Sequence, residues 1–315
     1  MSRAHIASLR SFNRAVTRHI GALDQSYLAR GRPLGEARLL FEVGSAADAD
    51  LRLLRDRLGL DSGYLSRLLR LLEKQGLVEV RRKADDGRAR EVVLTGKGRD
   101  EFAAYDRLSD ELAGSILSPL SQVQRDRLVA AAAEVERLLK ASTVRVEVEP
   151  ADSVDARHCL HQYFAELARR FEEGFEIDRG GGADPADMTP PDGWFVIARL
   201  DGRAVGCGAL KRLDGAMGEI KRVWCEAGAR GLGVATRIMD RLEVLAANAG
   251  FNAVRLDTNH ALTEAHTLYR KRGYAEIGRY NDNPYADHWF EKRLAATRQA
   301  DASSAAVTGN GVPGR

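Results

Sequence analysis

Apolar positions in the first 140 residues recur with helical spacing. In "SGYLSRLLRLLEKQ" (62–75), Leu65, Leu68, Leu69 and Leu72 fall at i, i+3, i+4 and i+7, which gives a helix one buried face. Asp61 stands at its N-cap position and Gly76 supplies the C′ stop. The preceding "ADLRLLRDRLGL" (49–60) reads as a shorter amphipathic helix ending near Gly59. Two helices joined by a tight glycine-containing turn describe a helix-turn-helix. The outward face of the second carries Ser62, Tyr64, Ser66, Arg67 and Arg70, polar and cationic residues suited to base edges and phosphate.

"LVEVRRKADDGRAREVVLT" (77–95) then changes the period to two. Two short strands flank an Asp-Asp-Gly turn, and Arg81, Arg82, Lys83, Arg88 and Arg90 crowd them. Alone, such a hairpin reads as a solvated turn. Directly after a helix-turn-helix it reads as a basic wing that touches phosphate or the minor groove. The motifs "SGYLSRLLRLLEKQGLVEVRR" and "DDGRAREVVLT", with the helices around them, resemble the MarR family of winged helix-turn-helix regulators. That resemblance covers residues 5–140 and implies double-stranded DNA as a partner. It also implies a homodimer built from residues 6–29 and helices 98–117 and 121–140. Where the family's wing often carries Arg, this chain has Gly87, so the tip contact is expected from Arg88.

After Thr143, "VRVEVEP" alternates apolar and charged residues as a half-buried strand does, and helices and strands alternate from there. The expected organisation is a first domain over 1–142, a second over 143–295 and a disordered tail over 296–315, poor in apolar bulk. "DRGGGADPADMTPPDG" (178–193) reads as a long loop.

Within the second domain, "CEAGARGLGVATRI" (225–238) has two glycines one residue apart, an arginine before them and a helical run after. Glycine loops that open a helix bind phosphate, because free N–H groups converge there and the helix dipole favours negative charge. Two nucleotide folds compete. The dinucleotide fingerprint G-x-G-x-x-G takes Gly231 and Gly233, with Asp257 as the later acid, but its third position is Thr236. The loop also follows strands joined by hairpins, and too little chain remains for the second half of a doubly wound sheet. The alternative, Arg/Gln-x-x-Gly-x-Gly/Ala, is filled by Arg230, Gly233 and Ala235. With "GEIKRVWCEAGARGLG", "RLDTNHALTEAHTLYRKRGY" and "YNDNPYADHWFEK", residues 144–294 resemble the GNAT N-acetyltransferases, and the whole chain resembles fused MarR–GNAT proteins.

The fold class implied is two domains: a mainly α winged helix-turn-helix, then an α+β GNAT fold whose mixed, largely antiparallel sheet is flanked by helices. The co-substrate implied is acetyl-CoA, its diphosphate cradled by Arg230, Gly231, Leu232, Gly233, Val234, Ala235 and Thr236. Val223, Trp224 and Cys225, on the strand before the loop, are expected to hold the pantetheine arm and offer an N–H to the thioester oxygen. Asn259 matches a cofactor-contacting position. Glu219, on the same strand with Lys221 on its face, is the expected base, against a surface Glu–Lys pair as the bland alternative. Tyr269 is the expected acid that protonates the leaving thiol, against simple aromatic packing. His260 and His266 read as solvent-facing or helix-surface residues and take no role.

Composition narrows the rest only slightly. Among 315 residues, 44% are hydrophobic and 30% charged, and the net charge of +3 permits nucleic-acid contact without requiring it. Cys159, Cys207 and Cys225 lie far apart with no zinc-ligand spacing, so reduced thiols and no metal are expected. The charged start and the lack of any long apolar run point to a cytoplasmic protein with no membrane partner. The function expected is a regulator fused to an acetyl-CoA-dependent N-acetyltransferase, whose amine acceptor is a small molecule or a protein lysine. Two alternatives stand beside it: a pure regulator whose second domain only senses acetyl-CoA, and an enzyme that uses DNA binding to reach DNA-associated lysines.

Overall fold

The computed structural model describes residues 2–46, 50–82, 90–172, 174–177 and 185–294. They form two compact units that divide at Lys140.

The first unit opens with α1 (Arg3–His19), α2 (Leu34–Ser45), α3 (Leu51–Leu58) and α4 (Ser62–Lys74). The caps read from sequence form as expected: Asp61 accepts from the Tyr64 N–H at 2.8 Å, and Gly59 and Gly76 close α3 and α4 in left-handed conformations. Strands β1 (Val78–Arg82) and β2 (Arg90–Leu94) pair antiparallel, and their turn, with Arg88, lies outside the described residues. Two long helices, α5 (Gly96–Leu117) and α6 (Gln122–Thr143), complete the unit. Leu39, Leu40, Leu54, Leu72 and Leu77 are its fully buried centre. Truncating one such leucine to alanine costs about 2–5 kcal/mol. By contrast α1 buries none of its residues, and Ile6, Leu9, Phe12 and Val16 form an exposed apolar stripe.

The second unit has a seven-stranded sheet in the order β3-β4-β5-β6-β7-β9-β8. Its strands are β3 (Arg145–Val148), β4 (Gly193–Leu200), β5 (Arg203–Asp214), β6 (Met217–Cys225), β7 (Ala253–Thr258), β8 (Ala275–Ile277) and β9 (His288–Arg293). Helix α7 (Val154–Arg170) follows β3, α8 (Val234–Asn248) joins β6 to β7, and α9 (Thr263–Lys271) follows β7. Only β6 and β7 are described as a parallel pair, which a hairpin cannot join, so α8 crosses over with Ile238, Met239, Leu242 and Ala246 buried on the sheet. One feature differs from the sequence reading: the Gly/Pro segment read as loop contains a 3-10 turn at Pro185–Met188, with Met188 buried. The chain after α9 makes two strands, and β9 sits between β7 and β8. The connection between them, 278–287, carries side chains into the site described next.

Candidate functional site

The site begins with a fault in the sheet. The β6–β7 ladder runs Met217↔Ala253, Gly218↔Val254 and Glu219↔Arg255, then stops. Beyond it the strands diverge, and the main chain of β6 from Lys221 onward has no strand on that edge. On its other edge Lys221 pairs with Ala209 and Trp224 with Cys207, so Arg222 and Val223 together oppose the single Gly208. This is a β-bulge, and Arg222 takes it at φ 58°. A buried arginine in the left-handed region is strained, and its guanidinium is held over the Phe164 ring at 4.9 Å.

Two hollows open from this fault. The larger, about 430 Å³, runs from Val223, Trp224 and Cys225 to Arg230, Gly231 and the first turn of α8. Gly231 and Gly233 have φ 79° and 75°, conformations that strain any residue with a Cβ. Gly233 caps α8 with no side-chain bond, and Val234, Ala235 and Thr236 line the hollow, so the helix presents its first N–H groups there. Leu232 points instead into the core, 8% exposed. Trp224 packs inward and donates from Nε1 to Glu166 at 3.0 Å. Burial pushes the Cys225 thiol up to about 11, which leaves it protonated. Arg230 lies on the hollow's wall with its guanidinium on Glu166 at 2.6 Å, and Arg170 ties Glu166 to Glu264.

The smaller hollow, about 80 Å³, lies on the other side of the throat. Tyr163, Leu167, Val223, Leu262, Ala265 and Tyr269 line both spaces. Tyr269 is 6% exposed, and burial holds its hydroxyl well above the ordinary tyrosine range, so it is a phenol and not a phenolate at neutral pH. That hydroxyl makes no hydrogen bond with the described residues. Tyr163, which sequence reasoning missed, is pushed up to about 12 by burial, against the pull of Arg222.

Glu219 departs from its expected position. It lines neither hollow and is 2% exposed, so the pair with Lys221 is not a surface one. Its carboxylate accepts from the Tyr280 hydroxyl at 2.9 Å and from Asn281 at 3.2 Å, and faces Lys221 at 3.4 Å and Lys211 at 3.5 Å. The carboxylate that reaches the smaller hollow is Asp257, at the end of β7. Its Oδ2 accepts from Asn281 at 2.5 Å and Asn283 at 3.3 Å and lies 3.7 Å from Lys221, while Oδ1 takes no bond from the described residues. Asn259 also lines the smaller hollow and not the larger. Its amide is used internally, donating to the Tyr285 carbonyl and accepting from the Ala261 N–H. His266 is buried rather than on the helix surface, with Nε2 against the Asn259 carbonyl at 3.1 Å. His260 is exposed and pairs with Asp287.

The first unit offers a different kind of surface. Ser62, Tyr64, Ser66, Arg67 and Arg70 are exposed on α4, as are Arg81 and Arg82 on β1. Arg67 lies over the Tyr64 ring at 5.6 Å, Ser66 bonds back to the Ser62 carbonyl, and Arg81 is held by Glu79 at 2.6 Å. A groove between α4 and the hairpin is lined by Ser66, Arg70, Arg81, Arg82 and Arg90. Arg82 and Arg90 are direct ladder partners. Like charges opposite one another destabilise a ladder, so this pair has a cost that a bound anion would remove.

Two family profiles match the chain. The acetyltransferase (GNAT) family profile covers residues 131–274 and the MarR family profile residues 30–89. The second unit is similar to an IAA acetyltransferase of Azospirillum brasilense, 34% identical over 125 residues, which are 39% of this chain and 80% of that protein. The first is similar to the HTH-type transcriptional regulator SarZ of Staphylococcus saprophyticus, 40% identical over 74 residues, 24% of this chain and about half (51%) of that one. A crystal structure of a GNAT-family acetyltransferase from Staphylococcus aureus aligns at 16% identity and TM-score 0.43, over 48% of this chain and 99% of the other. This chain belongs to the GNAT acetyltransferase family, and ahead of that domain its residues 30–89 match the MarR family profile.

Proposed function

We propose that the chain is a DNA-binding regulator fused to an N-acetyltransferase that uses acetyl-CoA. The observation that carries the transfer half is the throat: two hollows, one phosphate-binding in character and one small and polar at its far wall, meet at Val223 and Tyr269. The residues of the larger hollow fit acetyl-CoA. Arg230 and the N–H groups of Val234, Ala235 and Thr236 take the diphosphate, and the unpaired edge of β6 at Val223 to Cys225 takes the amide-bearing arm. When bound, acetyl-CoA supplies an acetyl group activated as a thioester.

The chain's own residues then have three tasks. Asp257 Oδ1 accepts the proton that the acceptor's ammonium must lose before nitrogen can attack. The Val223 N–H, freed by the bulge, stabilises negative charge on the carbonyl oxygen as the new C–N bond forms. Tyr269 gives its proton to the sulfur as the C–S bond breaks, and the second proton that the nitrogen loses restores the phenol. Glu219 serves as a positioning residue, since it fixes Lys221 and Asn281, which in turn fix Asp257. In the first unit, Arg67 and Arg70 of α4 and Arg82 and Arg90 of the hairpin meet DNA, and the bare stripe of α1 supports a homodimer.

Incubating the full chain with acetyl-CoA and a panel of amines tests the transfer reading through release of free thiol. Amine-dependent release is expected. Tight acetyl-CoA binding with no release on any amine would favour the sensing alternative. Retarded migration of duplex DNA at low salt tests the other half, and its absence on all fragments would count against it.

A further inference from the structure

The smaller hollow bears on which amine is acetylated, an inference that rests on the transfer reading above. It is small, about 80 Å³, and shares its lining with the larger hollow at Tyr163, Val223 and Tyr269. Its wall carries a charged corner, Asp257 and Lys221, with carboxylate and ammonium 3.7 Å apart. Asp257 keeps Oδ1 open. The Lys221 ammonium has only ion pairs at 3.4 and 3.7 Å and no hydrogen bond with the described residues, so its donors are available. Among the wall's other polar side chains, Asn259 is spent on the Tyr285 carbonyl and the Ala261 N–H and Asn283 on Asp257 and the Tyr285 N–H, while Arg222 and the Tyr163 and Tyr269 phenols also line the space.

Part of the wall is aromatic. Phe175 packs on Tyr285 at 4.8 Å and on Phe171 at 6.0 Å, and Phe171 on Tyr285 at 5.9 Å. A ligand that suits this enclosure has an ammonium and a carboxylate side by side and an apolar body. Burying one unbalanced charge is costly, whereas a zwitterion set against an Asp–Lys corner adds no net charge.

We propose that the acceptor is a small α-amino acid with an apolar side chain. Its amine lies on Asp257 Oδ1, its carboxylate on the Lys221 ammonium, and its side chain against Phe171, Phe175 and Tyr285. Lys221 is thus a specificity-determining residue.

The test compares leucine with isoamylamine, the same body without the carboxylate, and with spermidine, an aminoglycoside and a lysine-containing peptide. Two readouts are taken on the full chain: calorimetric binding of each ligand in the presence of coenzyme A, and thiol release from acetyl-CoA. Leucine is expected to exceed isoamylamine in kcat/KM by about 100-fold, and Lys221→Met to collapse that ratio to within a few-fold. Lys221→Arg is expected to restore most of it. The KM for acetyl-CoA should stay within about twofold throughout, which also reports that the variants fold. Isoamylamine, spermidine, the aminoglycoside or the peptide outperforming leucine would overturn the substrate class and leave acetyl transfer standing. An unchanged leucine-to-isoamylamine ratio in Lys221→Met would overturn the role of Lys221. Failure of acetyl-CoA to bind at all would instead strike the reading beneath both.

Discussion

Arg67, Arg70, Arg82 and Arg90 of the first unit stand without a carboxylate partner among the described residues. In the second unit each cation of the site stands against a carboxylate: Lys221 beside Glu219 and Asp257, Arg230 on Glu166, Arg170 on Glu166 and Glu264. The difference follows from solvent. An exposed guanidinium keeps its water until a phosphate displaces it, so leaving it unpaired costs little. A cation beside the throat such as Lys221, 17% exposed, has lost most of that water and needs an anion at once. A surface that reads a polyanion can therefore be built from separable parts, and a transfer site has to be interlocked. Substitutions should be graded in the first unit and abrupt in the second.

The sharpest expected effect is at the throat. Tyr269→Phe keeps the ring against Tyr274 and Phe290 and removes one hydroxyl. A fall in kcat of ~10²–10⁴-fold is expected, with acetyl-CoA affinity and thermal stability nearly unchanged. The pH profile carries a sign as well. A proton donor works only while protonated, and burial raises this phenol above the usual tyrosine value near ~10. The alkaline limb it sets should accordingly lie above pH ~10. A normal kcat in the phenylalanine variant would make Tyr269 a packing residue and hand the acid role to Tyr163, the other phenol on both hollows.

Gly233→Val probes the phosphate end of the same site. At φ 75° a β-branched residue is strained, and its Cβ enters open space at the hollow. Acetyl-CoA affinity by calorimetry is expected to fall by about 100-fold. Unchanged affinity would remove the loop from the binding site and much of the contrast with it.

Sequence made the two ends of this contrast unequally legible. Helix α4, its caps and its exposed arginines follow from a 3.6-residue period and local chemistry, so they could be read without a partner. The phosphate loop was legible because glycine and arginine at that spacing have few other uses. The acceptor side was not. Asp257 drew notice only as the acid of a dinucleotide pattern that the chain lacks, and Tyr163, Glu166, Asn281 and Asn283 drew none. What unites them is the divergence of β6 from β7 and the path of residues 278–287, and neither leaves a periodic mark. Strand alternation rightly set Lys221 beside Glu219, but could not tell that Tyr280 and Asn281 would cover Glu219 and turn Asp257 to the hollow.

For the first unit, Arg67→Ala should cost roughly 1–3 kcal/mol on a specific site and relax sequence preference. Arg82→Ala should weaken specific and random DNA alike and lower the salt dependence by about one ion. Equal loss on both DNAs for Arg67 would move it from base reading to phosphate. An abrupt loss of all binding from either change would mean that this surface too is interlocked.

The smallest effect tests the interlocking from the opposite direction, because it is expected to be a gain. Glu166 holds Arg230 at 2.6 Å, and its charge also lies on the wall of a hollow assigned to a diphosphate. Binding must break or stretch that pair and bring two negative groups closer together. Glu166→Gln keeps one oxygen for the Trp224 indole and drops the charge, together with the oxygen that Arg170 and Arg230 share. Arg230 is 44% exposed, so the pair is worth only about 0.2–1 kcal/mol. Acetyl-CoA should then bind roughly two- to fivefold more tightly in Glu166→Gln, and added salt should narrow the gap as it screens the wild-type pair. Weaker binding in the variant would mean that Glu166 orients Arg230 toward the diphosphate instead of competing for it, which would make the pair part of the binding machinery.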